Sequence, residues 1–326
     1  MTVDAVLKSL GTNFLSVTDR GFIYGPLGCL LRRNIETFWF RNCAMALTYN
    51  IFFTSPDRIP ETLRVSKDIT PNDAPFGLAM LNDIRTPWNH STFSSDIKTI
   101  PHRTARVTVI IDELEAKNLF HKKQRERKVW WRKFARSPSR FQLTENKRVK
   151  NYDVVDIEAQ FPFGNIIVET ITHRHDARKL FPQNEEQNNN SSSNLNLIEH
   201  TASLDWGCLT LLCDGYDKIG GSQELHIHPK LSPYKVAFKI NSEGGENIQE
   251  LNDLIMYISN IIKKEGIATV LTSTKEGLES LYTPFIVIVD DESLEHGIVK
   301  VISRLTTIGE SVHITNIAQY FTVRCN

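Results

Sequence analysis

The sequence predicts a two-domain chain of mixed α+β / α/β class, and three observations carry this. The 326 residues are about twice an ordinary single-domain length. Up to residue 222, β-branched alternating runs lie between helical patterns, with one strand–turn–strand unit among them. Beyond it, short strand and helix patterns alternate to the end of the chain. The domains are therefore expected at 1–222 and 223–326.

In the first domain, YGPLGCLLRRNIETFWFR (24–41) opens on a Gly-Pro turn. It continues as an amphipathic helix with Leu27, Leu30, Leu31, Ile35 and Phe38 on one side. ARVTVIID (105–112) is a strand pattern. VVDIEAQF (154–161) and NIIVETIT (165–172) are two more strands, joined by a Pro-Phe-Gly turn. NEEQNNNSSSNLN (184–196) is polar and low in complexity, so a flexible surface loop is expected there. In SLDWGCLTLL (203–212) a polar turn runs into a buried helix, with Trp206 at a junction that small capping residues usually occupy.

The second domain reads as β-α-β-α-β-β-α. YKVAFKI is a strand, and NIQELNDLIMYISNIIKKEG (247–266) is a helix with Ile248, Leu251, Leu254, Ile255, Ile258 and Ile262 at helical spacing, ended by Gly266. IATVLTS, FIVIVD and IVKVISR are strands, KEGLESLY is a short helix and ITNIAQYF the final one.

Composition excludes several classes. Hydrophobic residues make up 40% and charged residues 23%, and the formal net charge is zero, so any nucleic-acid site must be a local patch. No run of about 18 apolar residues suggests a membrane span. The N-terminal MTVDAVLKSLGTNFL has no secretory core and, with Asp4 and few arginines, is a poor transit peptide. Five cysteines without a C-x-x-C favour reduced thiols over disulfides or zinc. His173/His175 and His226/His228 form two H-x-H pairs. Neither has a Cys or carboxylate at ligand spacing, so no metal site is expected. There is no P-loop and no G-x-G-x-x-G, so no nucleotide cofactor is expected through those devices.

The segment from Lys117 to Lys150 holds thirteen Lys or Arg and two acids. Around Trp130, Trp131 and Phe134 lie Lys122, Lys123, Arg125, Arg127, Arg132, Lys133, Arg136 and Arg140. One reading is an anchored helix whose aromatics enter the core and whose charges are solvated. Another is a face that binds duplex phosphates by counterion release. A third is a surface for an acidic protein partner. The first two are compatible.

YGPLGCLLRRNIETFW, FPFGNIIVETITHRHD, and HPKLSPYKVAF with TPFIVIVDDESLEHGIVKVISRLTT resemble, in that order, motif 1, the amino-acid pocket and the anticodon-binding domain of glycyl-tRNA synthetase. WWRKFARSPSRF and PFGLAMLNDIRTPW (75–88) resemble more closely the accessory subunits of mitochondrial DNA polymerase gamma, which share the synthetase fold. The resemblance implies a class II aminoacyl-tRNA-synthetase-like antiparallel-sheet domain followed by an anticodon-binding-domain-like mixed α/β domain.

It also locates departures from a working synthetase. Adenylation needs arginines on the ATP phosphates. Where motif 2 reads F-R-x-E, Thr86 stands at the arginine and Trp88 at the glutamate, with Arg85 one residue away. Ile167 replaces the glutamate that would hold the substrate ammonium, and Thr170 replaces a glycine, while Glu169 and Arg174 are kept. Trp206 stands at the motif 3 arginine. These losses together do not fit adenylation.

The resemblance therefore implies a non-catalytic processivity subunit in the mitochondrial matrix and nucleoid. It would dock on the catalytic subunit of mitochondrial DNA polymerase largely through its C-terminal domain and strengthen the hold on double-stranded or primer-template DNA. A synthetase-like RNA-binding or regulatory protein, or an active glycyl-tRNA synthetase, are the alternatives. Some members dimerise through a helical insertion between motifs 1 and 2. Thr54 to Trp88 is Pro-rich and shows no long helical pattern, so no homodimer of that kind is expected.

Overall fold

The computed structural model describes residues 3–18, 21–45, 49–70, 75–85, 88, 102–175, 195–219, 222–241, 247–272 and 275–325. Thr86 and most of the expected loop 184–196 lie outside these residues. The chain divides into two compact units, Met1–Tyr24 with Ile35–Asp214, and Gly25–Asn34 with Gly215–Asn326.

The first unit begins with α1 (Val3–Leu10), β1 (Leu15–Thr18), β2 (Gly21–Tyr24) and α2 (Pro26–Trp39), whose first turns belong to the other unit. Then come β3 (Asn50–Phe53), α3 (Ile59–Ile69), β4 (Phe76–Ile84), β5 (His102–Asp112) and α4 (Glu113–Phe134). β6 (Phe141–Leu143), β7 (Lys147–Val149), β8 (Tyr152–Phe161), β9 (Gly164–Arg174), β10 (Leu195–Ser203) and α5 (Leu204–Gly215) complete it.

Eight of these strands form one sheet in the order β3-β4-β5-β10-β9-β8-β6, with β7 also on β8. All pairings are antiparallel except β3 with β4. The hairpin β8–β9 closes at Gly164, whose φ of +132° is one that a side chain disfavours. The sheet is therefore antiparallel-rich, which agrees with the antiparallel-sheet domain expected from the sequence.

α4 packs on this sheet, mainly against β9 and β10. Its start is encoded locally. The Asp112 side chain caps the Leu114 N–H at 2.9 Å, Glu113 and Glu115 sit in the first turn, and Arg132 and Lys133 sit in the last, in the sense the helix dipole favours. Its buried residues are Ala116, Phe120, Lys123, Arg127, Trp130, Trp131 and Phe134, a stripe with three- and four-residue spacing.

The second unit contains the hairpin β11 (Tyr216–Ile219) with β12 (Ser222–Leu225), then β13 (Val236–Ile240), α6 (Ile248–Lys264), β14 (Thr269–Val270) and α7 (Lys275–Ser280). It ends with β15 (Phe285–Val289), α8 (Asp291–His296), β16 (Ile298–Ser303), β17 (Gly309–His313) and α9 (Ile317–Cys325). Its five-stranded sheet runs β14-β13-β15-β16-β17, parallel on the β13 pairings and antiparallel beyond. Leu251, Ile255, Ile258 and Ile262 of α6 join Val236, Phe238, Val287 and Phe321 in one core. Full burial of such a side chain stabilises by roughly 1.5–3 kcal/mol. Gly266, at φ +74°, ends the helix.

Several expectations need correction. Leu30 and Ile248 are exposed rather than core, because each lies at the rim of its apolar stripe. The β-α-β-α-β-β-α pattern gains α8, set by a capping box between Asp290 and Ser293, and the edge strand β17. The strand expected over IATVLTS shrinks to two residues. The interval from Thr54 to Trp88 holds α3, an 11-residue helix with proline in its first turn. The last two residues of the expected loop, Leu195 and Asn196, are paired in β10, and Asn196 is buried.

Candidate functional site

Trp206 lies in the first turn of α5, and its neighbours supply the helix cap and tie the turn to other elements. The Ser203 hydroxyl accepts from the Trp206 N–H at 3.2 Å. The Asp205 carboxylate accepts from the Arg103 N–H, and the Asp205 carbonyl accepts from the Tyr24 hydroxyl at 2.6 Å. The indole itself is buried and meets the edge of Phe22 at 5.4 Å. Every residue from Ala202 to Gly215 is buried, so this is a core helix and tryptophan is at home in it. Gly207 keeps the helix open to a neighbour. A Cβ there would lie 2.8 Å from Cζ3 of Trp131.

Trp131 leads to the centre of the unit. Its Nε1 donates to Oε2 of Glu169 at 2.7 Å, and its ring stacks on Phe141. Arg127 donates to both Glu169 oxygens, at 2.8 and 3.1 Å. Nδ1 of His200 lies 2.9 Å from Oε1. A carboxylate offers about four lone-pair sites. Those of Glu169 are filled by donors from within the chain, and the residue has no exposed surface. Arg127 also lies over the Trp130 ring and donates to Sγ of Cys43.

The electrostatics follow from this packing. Burial pushes the Glu169 carboxyl up, but the Arg127 guanidinium and the His200 hydrogen bond outweigh it and hold the group down at about 2. Burial pushes the His200 imidazole below its ordinary range, against the pull of Glu169. Burial and His175 do the same to His173. Cys43, desolvated, is pushed up to about 12 and is no nucleophile at neutral pH.

All three depressed groups carry the same pH sign. Each holds fewer protons folded than unfolded, so the stability it contributes is complete above its unfolded pKa and is lost as pH falls through the folded one. For the histidines the loss starts at pH ~6.5, and for Glu169 at pH ~4.3. Urea midpoints are expected to fall steadily from pH 7.5 to about 4, with a shallower upper limb in His200→Gln. A flat profile between about pH 7.5 and 5 would contradict these shifts.

The other singled-out positions of the pocket are also built into packing. Nε1 of Trp88 donates to the Ile167 carbonyl at 2.6 Å, and its ring meets His102 edge-on. The Ile167 side chain is buried. The Thr170 hydroxyl donates to Asp156 at 2.7 Å. Arg174 lies over the Tyr152 ring.

The basic segment divides by helix face. Lys123 and Arg127 are buried and turned inward, which removes them from any outward surface. Nζ of Lys123 pairs with Glu126 at 2.8 Å. Arg140 is half-buried, ion-paired with Asp214 at 3.1 Å and seated over Phe161. Arg132 donates to the Phe141 carbonyl at 3.0 Å. Lys122, Arg125, Lys133 and Arg136 are exposed. Sequence reasoning missed Arg127 and His200 as partners of Glu169. The Arg127 spacing from Phe120, Trp130 and Phe134 was the available signal, whereas nothing local marked His200. It also missed the carboxylate that strand pairing supplies to His173 and His175, namely Asp153.

No family model matches the chain. Over 282 residues it is 26% identical to DNA polymerase subunit gamma-2 of Bos taurus, covering 78% of this chain and 58% of that protein. Over 256 residues it is 23% identical to the mitochondrial DNA polymerase subunit gamma-2 of Drosophila melanogaster, covering 73% and 67%. The chain is a distant homologue of the DNA polymerase gamma-2 subunits. A weaker similarity, 30% identity over 204 residues, links it to the glycine–tRNA ligase of Staphylococcus aureus (strain JH9), with 54% of this chain and 43% of the ligase covered. The chain thus spans 58% of the length of its bovine gamma-2 relative. Among the described residues, no helix is long and apolar enough to cross a membrane.

Proposed function

We propose that this chain is a non-catalytic processivity subunit of the mitochondrial DNA polymerase. In this reading it binds the catalytic subunit, one to one, and increases that enzyme's hold on primer-template DNA. One observation supports this most. The pocket glutamate that the synthetase resemblance keeps, Glu169, is saturated by Arg127, Trp131 and His200, while the same helix that supplies Arg127 presents basic residues outward. A glutamate saturated from within the chain, with a basic face beside it, suits binding rather than adenylation.

Retention needs no chemistry of its own. Added phosphate contacts and added interface both lower the dissociation rate. The exposed Lys122, Arg125, Lys133 and Arg136, with half-buried Arg132, are the residues we assign to duplex contact. The protein partner is assigned to the second unit. There an apolar groove of about 860 Å³ is lined by Ile248, Ile255, Met256, Leu271 and Ile288.

Primer extension by the purified catalytic subunit, with and without this chain at rising salt, tests the reading. Longer products and better salt tolerance are expected. No change would move weight to a synthetase-like RNA-binding or regulatory role, which the ligase similarity favours. Glycine-dependent ATP–pyrophosphate exchange would establish an active synthetase and sink the proposal.

A further inference from the structure

Two histidines of β9 and its C-terminal end, His173 and His175, lie two residues apart and so share a face of the strand. Sequence spacing offers them no third ligand, but the sheet does. Asp153 of β8 is the antiparallel partner of His173. Its Oδ2 lies 3.9 Å from Nδ1 of His173 and 3.6 Å from Nε2 of His175. One ligand atom from each of the three residues falls within 4.8 Å of the others. Zinc bonds of about 2.0–2.2 Å to N and O set ligand–ligand separations near 3.4 Å in a tetrahedron, so small side-chain rotations close the set.

The surroundings favour the ligating form. Nε2 of His173 lies 3.1 Å from Oδ1 of Asn196, an acceptor. The proton therefore sits on Nε2, and the lone pair on Nδ1 faces Asp153. This is the orienting contact that metal-bound histidines ordinarily have. A cation already stands over the cluster. The guanidinium of Arg148, a β7 residue paired with Asp153, reaches both Asp153 oxygens at 3.1 and 3.0 Å and Nε2 of His175 at 3.4 Å. Arg148 is largely exposed, and ion pairs of such groups are weak. It can give way to an ion that makes coordinate bonds.

We propose that Asp153, His173 and His175 form a binding site for a divalent ion of the zinc class, with solvent in the fourth position. The ion would clamp β8 to the end of β9. Two imidazoles and one carboxylate suit zinc better than magnesium or calcium, which prefer oxygen ligands.

The test uses the full chain, stripped with chelator and titrated with Co²⁺ as a coloured substitute for Zn²⁺. One equivalent should bind with the visible spectrum of a low-coordinate ion, and Zn²⁺ should displace it. His175→Ala and Asp153→Asn should each weaken binding by at least the roughly 10–100-fold that even outer-shell changes cost. Arg148→Ala should tighten it, because a competing cation is gone. His226→Ala/His228→Ala should leave it unchanged. Absence of stoichiometric binding at micromolar metal, or full binding in His175→Ala and Asp153→Asn, overturns the proposal. If either ligand variant fails to fold, Arg148→Ala still decides, since weaker binding there contradicts the site.

Discussion

Arg127→Met is expected to lower the unfolding free energy by about 3–5 kcal/mol, the usual cost of removing one partner from a buried ion pair. Both groups of this pair are out of water, and the guanidinium engages both carboxylate oxygens. Without it, Glu169 keeps only Trp131 and His200 as donors and remains a charge in a desolvated site. The penalty comes from the stranded charge, not from lost attraction alone. The double variant Arg127→Met/Glu169→Gln should therefore recover a large part of the loss. Urea unfolding of the four proteins in the cycle measures the coupling. A loss below about 1 kcal/mol, the range of an exposed pair, would show that the network is not the keystone of this unit.

The second large effect concerns DNA and rests on the proposed function. Neutralising Lys122, Arg125, Lys133 and Arg136 together to glutamine is expected to weaken binding to a primer-template duplex by up to about three orders of magnitude at roughly 0.1 M salt. The slope of log K against log salt should flatten by roughly 0.9 for each phosphate contact removed. Stability should change little, because all four side chains are exposed. Lys123→Gln is the internal contrast. Its buried ammonium pairs with Glu126, so it should alter stability and leave the salt slope alone. An unchanged slope in the fourfold variant would remove this face of α4 from the interface.

Legibility in the sequence follows the range of the interaction. Strands β5, β8 and β9 and helices α2, α4 and α6 are readable because hydrophobic period and turn chemistry are local signals. α8 escapes such a reading although its capping box, Asp290 with Ser293, is equally local. At six residues it is too short to show a period. The basic helix is legible as a helix, but composition alone presents its charges as one set. Lys123 and Arg127 fall in step with Phe120, Trp130 and Phe134, and that spacing already separates inward from outward basic residues. What the buried ones meet is not legible. Glu169 is 42 residues from Arg127 and 31 from His200; the pairing of β10 with β9 brings in His200, and the packing of α4 on those strands brings in Arg127. The same holds for Asp153, whose meeting with His173 is a matter of strand register.

The saturation of Glu169 also bears on how this chain can change over time. Arg127, Trp131 and His200 each satisfy a different part of one carboxylate, and Gly207 is held small by the Trp131 ring. Exchanging Arg127 or Glu169 alone strands a buried charge, and enlarging Gly207 alone meets the Trp131 ring. Substitutions here must arrive together or in a narrow order, so the cluster is entrenched. A glutamate at this place, kept for that reason, is then no mark of amino-acid activation in related chains.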